Sequence, residues 1–201
     1  MPEDPDRAPL AEDRAAGETA LLVIDMLSSW DFDDADALLA HALPIAPRIA
    51  ALRARCRAVR IPVVYANDNH GRWRSDFRQV VAAALEGDGD GARIAKQLSP
   101  DGHDYFVLKP KHSGFHATPL DLLLRHLGAR TLILTGVSSD QCVLYTAAAA
   151  RMHDYRVIVP RDAVATQSPR RNELALRHFD EVMGIETPLS ERLELPPRPV
   201  P

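Results

Sequence analysis

The stretch Ala20-Leu-Leu-Val-Ile-Asp25 is an uninterrupted apolar run that ends on a carboxylate. Short, mostly apolar runs recur at residues 61–66, 104–108, 131–135 and 155–159. Continuous apolar runs are typical of strands that are covered by helices on both faces. The segments between them have helical periodicity, so the alternation predicts a parallel α/β sheet with a sixth, short strand near residues 184–187.

The segment between the first two strands predicts a helix with one apolar face. Its apolar residues are spaced by three or four positions, at Ile45, Ile49, Leu52, Cys56 and Val59. Pro44 and Pro47 fit the first turn of such a helix better than its middle, because proline lacks the N–H that an interior position donates. We therefore expect the helix to begin close to these prolines.

Three later helices have recognisable N-terminal signals. Thr118 precedes Pro119 and a leucine-rich segment that ends at Gly128. A second helix is expected to open at Ser138 or Ser139, and a third at Ser168, which also precedes a proline. Serine and threonine are favoured at the position before a helix because their side chains accept hydrogen bonds from its free N–H groups.

Composition limits the classes of function. The 201 residues are 46% hydrophobic and 26% charged, as in a globular protein with a single core. The net charge of −4 offers no basic surface for nucleic acid. No apolar run approaches the ~20 residues of a membrane span, and the N-terminus does not read as a secretion signal. With two cysteines, the chain fits a reducing cytoplasm.

The two ends of the chain differ in composition from its body. Residues 1–18 are acidic and contain proline and glycine, which predicts a flexible leader. Residues 19–186 are expected to form one domain. Residues 187–201 form a proline-rich tail without regular structure, whose leucines could still pack on another surface.

Three reactive side chains are expected at one edge of the sheet, where parallel strands end and ligands bind. Asp25 follows the first strand, Lys109 follows the third, and Cys142 lies a turn into the helix after the fourth. Taken singly, Asp25 could cap a turn, Lys109 could be a solvated loop residue, and Cys142 could be a small packing residue. A helix N-terminus is expected to lower the pKa of Cys142. Cys56 lies on a buried helix face and is assigned to the core.

Three sequence blocks carry a family resemblance. Leu22-Val-Ile-Asp-Met26, Lys109-Pro-Lys-His-Ser-Gly-Phe115 and Thr135-Gly-Val-Ser-Ser-Asp-Gln-Cys-Val-Leu-Tyr-Thr-Ala147 occur in that order. Together they resemble the signature blocks of the isochorismatase-like cysteine hydrolases, a family that includes nicotinamidase and N-carbamoylsarcosine amidase. The resemblance extends over residues 19 to 185.

The resemblance implies a fold and a set of catalytic residues. The fold is a three-layer α/β/α sandwich with strand order 3-2-1-4-5-6, and the residues are an Asp25, Lys109 and Cys142 triad. The backbone N–H groups of Ser138 and Cys142 would form the oxyanion hole, and the family's cis peptide bond would precede Ser138. Lys111 has no role carried over from the family.

The resemblance also bears on metal binding. Nicotinamidases hold a metal through an Asp-x-His pair and a further histidine. This chain has Asp68 and His70 but no further histidine in the following segment, so the third ligand is missing. Because a stable transition-metal site usually needs three protein ligands, we expect no metal and no cofactor.

Substrate specificity is expected in the loop after the second strand. Four residues are candidates for substrate binding: Asn67, Arg72, Trp73 and Phe115. Arg72 or Arg74 could pair with a substrate carboxylate, while Trp73 could form an apolar wall. Alternatively, these arginines could pair with nearby aspartates in a purely structural loop. His112 and Phe115 could also line the pocket.

The leading hypothesis is a cytoplasmic hydrolase that cleaves a non-peptide C–N bond, either amide or ureido. Its substrate is expected to be a small molecule, with an anionic molecule as one option. A metal-assisted nicotinamidase is the enzymatic alternative. A family member without catalysis, acting as an oligomeric binding scaffold, is the alternative from another class. We expect a homo-oligomer that binds neither nucleic acid nor membrane.

Overall fold

Parallel pairing of the apolar strands gives the sheet the order β3-β2-β1-β4-β5, with β6 paired to β4. The structure, a computed structural model, describes residues 18–69, 71, 73–74 and 76–197. The strands are β1 Thr19–Ile24, β2 Val63–Asp68, β3 Tyr105–Lys109, β4 Thr131–Val137, β5 Arg156–Ile158 and β6 Val164–Ala165. The predicted parallel sheet is confirmed, and its order largely matches the expected one.

Helices cover both faces of this sheet. They are α1 Ala35–Ala58, α2 Phe77–Leu85, α3 Asp90–Gln97, α4 Leu120–His126, α5 Leu144–Met152 and α6 Pro169–Arg177. Leu21 and Val23 of β1 pack with α1, α2 and α3, while Leu22 and Ile24 pack with α4, α5 and α6. Because β1 is buried on both sides, its continuous apolar sequence is explained.

The sixth strand was expected in the wrong place. Near residues 184–187 there is only an isolated bridge between Ile158 and Glu186, while β6 lies at Val164–Ala165. β5 ends before Pro160, and Pro188 closely follows Glu186. Since proline cannot donate a ladder hydrogen bond, little room remains for a longer pairing there.

Helix α1 is longer than predicted. It begins at Ala35 and contains Pro44 and Pro47 in its interior. Both prolines lie on the exposed face, where water can satisfy carbonyls that lose an intrahelical donor. The buried residues Leu38 and Ala42 extend the apolar face toward the N-terminus and explain the earlier start.

Among the described residues, α1 also meets the length and composition of a membrane-spanning helix. Its residues Leu38, Ile45, Ile49 and Leu52 are buried in the core against the sheet. This packing is typical of a helix that belongs to a protein core.

Helix α6 begins after Ser168 as its signal predicted, whereas α4 begins one residue later than expected, with Pro119 instead of Thr118 at the position before the helix. Thr118 accepts a hydrogen bond from the Leu120 N–H at 3.2 Å, and Ser168 accepts one from the Arg171 N–H at 3.3 Å. The segment after β4 departs from expectation, because a π-helical turn at Ser139–Val143 precedes α5. Helices α2 and α3 were not predicted.

The tail packs on α1 as far as it is described. Arg55 donates hydrogen bonds to the carbonyls of Ser190 and Leu193, each at 2.6 Å, and Leu193 is buried. Ser190–Arg192 forms a 3-10 turn, so the expectation of no regular structure was wrong at this point. Residues 1–17, which are all of the predicted leader except its last residue, and residues 198–201 lie outside the described residues.

Gly136 allows β4 to approach β1 at the edge where the reactive side chains gather. Its φ is +107°, and a Cβ atom there would lie 2.0 Å from the carbonyl oxygen of Ile24. A backbone atom of the central strand cannot move aside easily, so a side chain at this position forces the two strands apart.

We predict that Gly136→Ala lowers the free energy of unfolding by about 3 kcal/mol, because both the contact and the backbone conformation are unfavourable. Urea denaturation measures this change. Gly102→Ala is the matched control, since nothing lies within 4 Å of its added Cβ, and it should change stability by less than about 0.5 kcal/mol. Equal stability of the two variants would contradict the prediction.

Candidate active site

Lys109 is a fully buried lysine at the end of β3. Its Nζ lies 2.8 Å from Asp25 Oδ2, 3.4 Å from Asp68 Oδ2 and 3.5 Å from Cys142 Sγ. In the strand order, β2 separates β3 from β1, so the lysine stem reaches across β2 to Asp25. The structure therefore brings together the three side chains that the sequence singled out.

Asp25 follows the last residue of β1 and is held through both carboxylate oxygens. Oδ1 accepts a hydrogen bond from the Asp68 N–H at 2.7 Å, and Oδ2 faces Lys109. Its own N–H donates to the Ala66 carbonyl at 3.1 Å. The backbone of β2 and the buried ammonium together set the direction of this carboxylate.

Cys142 lies within the π-helical turn that follows β4. The Ser138 carbonyl accepts hydrogen bonds from the N–H groups of Gln141 and Val143, both at 3.1 Å. These bonds close the turn around the cysteine, and the Lys109 ammonium lies 3.5 Å from Cys142 Sγ. The peptide bond between Val137 and Ser138 is cis, as the resemblance implied.

The electrostatics of the thiol differ from the expectation. Burial raises the pKa of Cys142, the Asp25 carboxylate raises it further, and the Lys109 ammonium lowers it, with a net result above the usual range. The expectation that a helix N-terminus lowers the pKa of Cys142 was wrong, because burial and the Asp25 carboxylate raise this pKa by more. The thiol is therefore protonated at neutral pH and needs a base for attack.

Lys109 is charged in the same setting. Burial alone would lower the pKa of Lys109, but Asp25, Cys142 and Asp68 raise it, and the net pKa lies above its ordinary value. The site thus contains a permanent cation beside a protonated thiol.

A cavity of about 300 Å³ opens above these groups. Its lining includes Asp25, Cys142, Ser138, Asn67, Asp68, Ser28, Trp30, Phe32, Asp33, Leu38, His112, Val137, Gln141 and Gln167. This volume suits a small molecule, with an aromatic wall on one side and polar groups near the sulfur.

Two of the predicted substrate-binding residues lie elsewhere. Trp73 is 78% exposed and does not line the cavity, because the segment after β2 carries it to the surface. Phe115 stacks on His153 with ring centroids 5.1 Å apart and packs against the core. Asn67 does line the cavity and donates to the Leu27 carbonyl at 2.6 Å. Arg72 lies outside the described residues.

The aromatic wall comes from Trp30 and Phe32, which the sequence analysis missed. Both follow Asp25 closely in the loop after β1. Their position after a strand that ends in a reactive carboxylate was an available signal, since loops at that edge surround the site. His112, which the sequence offered as a further pocket residue, also lines the cavity.

The structure describes only one of the two candidate metal ligands, Asp68. The described residues contain no cluster of three or more His, Cys, Asp or Glu side chains that could hold a metal ion. The Asp68 carboxylate instead lies 3.4 Å from the Lys109 ammonium. His70 lies outside the described residues.

Comparisons with known proteins agree on one family. The sequence profile of the isochorismatase domain matches residues 19–187. The isochorismatase family protein YaaI of Bacillus subtilis is 34% identical over 176 residues, covering 88% of this chain and 96% of that protein. The ureidoacrylate amidohydrolase RutB of Methylorubrum extorquens is 30% identical over 205 residues, covering 88% of this chain and 81% of that protein. The crystal structure of N-carbamoylsarcosine amidase from Thermoplasma acidophilum has a TM-score of 0.65 at 29% identity, covering 88% of this chain and 99% of that one.

We predict that iodoacetamide alkylates Cys142 in the folded protein, while Cys56 reacts only after unfolding. Cys56 is fully buried in the core, and burial raises the pKa of its thiol to about 12. Since the pKa of Cys142 is also raised, its rate should increase about tenfold per pH unit through the neutral range. Peptide mass mapping measures both rates, and equal labelling of the two cysteines in the folded protein would contradict the prediction.

A second prediction concerns the pH dependence of that reaction. Asp25→Asn removes a charge that raises the pKa of Cys142 and leaves the Lys109 ammonium in place. The pKa of Cys142 should therefore fall, and the alkylation curve should move to lower pH. Asp33→Asn is the control, because Asp33 lines the same cavity without entering the thiol's hydrogen bonds. An unchanged curve for Asp25→Asn would show that the carboxylate does not act on the thiol.

Proposed function

Because this chain belongs to the isochorismatase family, we propose that it is a cysteine hydrolase that cleaves a non-peptide C–N bond, amide or ureido, through a thioester on Cys142. The single observation that carries this proposal is the buried Lys109 ammonium, 2.8 Å from Asp25 and 3.5 Å from the Cys142 sulfur at the base of a cavity. An acid, a base and a nucleophile in contact are what acyl transfer requires.

In the first half of the reaction, Asp25 accepts the thiol proton as the sulfur attacks the carbonyl carbon. Proton removal in the transition state is needed because the pKa of Cys142 is raised by its burial and by Asp25. Lys109 stabilises the charge that develops on the sulfur. Asp25 then delivers the proton to the leaving nitrogen, and the C–N bond breaks to leave a thioester.

The negative oxygen of the tetrahedral intermediate needs donors on the other side of the carbon. The backbone N–H groups of Ser138 and Cys142 are the proposed oxyanion hole, and both residues line the cavity. One such donor is typically worth about 3 kcal/mol in the barrier. In the second half, water attacks the thioester, and the thiolate leaves beside Lys109.

The proposed substrate class rests on similarity and on the cavity. The named relatives include a ureidoacrylate amidohydrolase and an N-carbamoylsarcosine amidase, whose names both point to C–N hydrolysis. The cavity admits a small molecule with an apolar part against Trp30 and Phe32. The proposal includes substrates that carry a carboxylate. Arg72 is the proposed cation for that carboxylate.

A panel of primary amides, ureido compounds and nicotinamide, scored for ammonia release with and without a chelator, tests the reaction class. The proposal expects release from at least one amide or ureido compound, with no effect of the chelator. Loss of activity with the chelator would instead favour the metal-assisted nicotinamidase. Absence of release across the whole panel would favour the non-catalytic scaffold.

Location and assembly are part of the same proposal. A hydrolase with two free cysteines suits a reducing cytoplasm. We propose a homo-oligomer without nucleic-acid or membrane partners. Sedimentation of the purified protein would test the oligomeric state.

We predict that Cys142→Ser folds but loses at least about 10³-fold in kcat, since a serine hydroxyl cannot replace the thiol nucleophile here. Ammonia release on the best substrate of the panel measures this loss, and circular dichroism confirms folding. Cys56→Ala is the control and should keep its activity, because Cys56 lies in the core away from the site. A folded Cys142→Ser with an undiminished rate would refute the nucleophile assignment.

A further inference from the structure

His112 is a further titratable group beside the sulfur, and the steps above leave it unused. Its Nδ1 lies 3.9 Å from Cys142 Sγ, and the residue is exposed at the cavity. Lys109, in contrast, is fully buried. The sulfur therefore lies between a buried ion pair on its inner side and an imidazole on its solvent side.

The imidazole is held in a defined orientation. Its ring stacks on Tyr145, with centroids 5.5 Å apart and planes 26° from parallel. Tyr145 belongs to α5, the helix that continues directly from the turn containing Cys142. The element that positions the nucleophile thus also supports the histidine.

The two halves of the proposed reaction need a base in different places. In the first half, the proton comes from the thiol, and the neighbouring Asp25 carboxylate already acts on that group by raising its pKa. In the second half, the proton comes from water that must enter from the open side of the cavity. An exposed imidazole near the sulfur is placed for that water, whereas Asp25 pairs with the fully buried Lys109 on the inner side of the sulfur.

We propose, on the basis of the proposed function, that His112 is the general base for hydrolysis of the thioester. The water oxygen bonds to the acyl carbon, and the imidazole takes one water proton. The C–S bond breaks, and the sulfur leaves as a thiolate next to Lys109. The imidazolium then returns its proton to the thiolate across the short separation, which restores a neutral histidine and a thiol while the carboxylic acid product departs.

The test uses p-nitrophenyl acetate as an acylating probe for the full-length protein. Acylation of Cys142 releases p-nitrophenolate, so the first turnover reports acylation and the steady state reports deacylation. His112→Gln should keep the burst of about one equivalent but lower the steady-state rate on the order of 10²-fold, the usual contribution of a general base. Mass mapping should find an acetyl group accumulating on Cys142.

Two matched variants separate catalysis from structure. His116→Gln changes an exposed histidine of the same loop that does not line the cavity, and it should behave as the unaltered protein. His112→Ala should also stall as an acetyl-enzyme, and added imidazole should restore its deacylation. A merely structural role of His112 would not give this rescue.

The outcomes distinguish a failure of this inference from a failure of the proposed function. If His112→Gln deacetylates at the unaltered rate, or loses the burst itself, His112 is not the base for the second half, while an acetyl group on Cys142 still supports the proposed function. If the unaltered protein never carries an acetyl group on Cys142, both the nucleophile and the role of His112 are rejected.

Discussion

A lysine ammonium with no exposed surface constrains the arrangement of this protein more than any other group. Removing an unpaired charge from water costs several kcal/mol, so Lys109 requires partners of opposite charge at short range. Asp25 supplies one at 2.8 Å and Asp68 another at 3.4 Å. The same ammonium lies against the sulfur of Cys142. Pairing demanded by burial therefore assembles the groups that the proposed chemistry uses.

The sheet makes that pairing geometrically available. Asp25 follows β1 at the centre, and Lys109 ends β3 two strands away. A flexible four-carbon stem with a compact charge can cross β2 and meet several acceptors, whereas a planar guanidinium is less suited to such a junction. On the other side, Gly136 lets β4 approach β1 closely enough for the following turn to present Cys142. The geometry of the site thus depends on the strand order as well as on the side chains.

Much of the fold and of the candidate site could be predicted from the sequence, because buried strands and the reactive residues that follow them have local sequence signals. The apolar run of β1 shows burial on both faces, and Lys109 and Cys142 each follow such a run. The strand order came from the resemblance rather than from periodicity. The pocket wall was misassigned to Trp73, which is exposed at the surface, because the direction of the chain after β2 leaves no signal in the sequence. Trp30 forms that wall instead, and the sign of the cysteine's pKa shift depended on burial that only the folded structure reveals.

The most direct test of the central role of Lys109 is the rate at which p-nitrophenyl acetate acylates Cys142 in Lys109→Met. The methionine keeps a similar length and removes the charge. Lys96→Met is the control, because Lys96 is exposed and pairs only with the exposed Asp88 carboxylate, 3.7 Å from its Nζ. For folded protein, our prediction is a loss on the order of 10²-fold in the acylation rate of Lys109→Met and no loss in that of Lys96→Met. An unchanged acylation rate in folded Lys109→Met would contradict it.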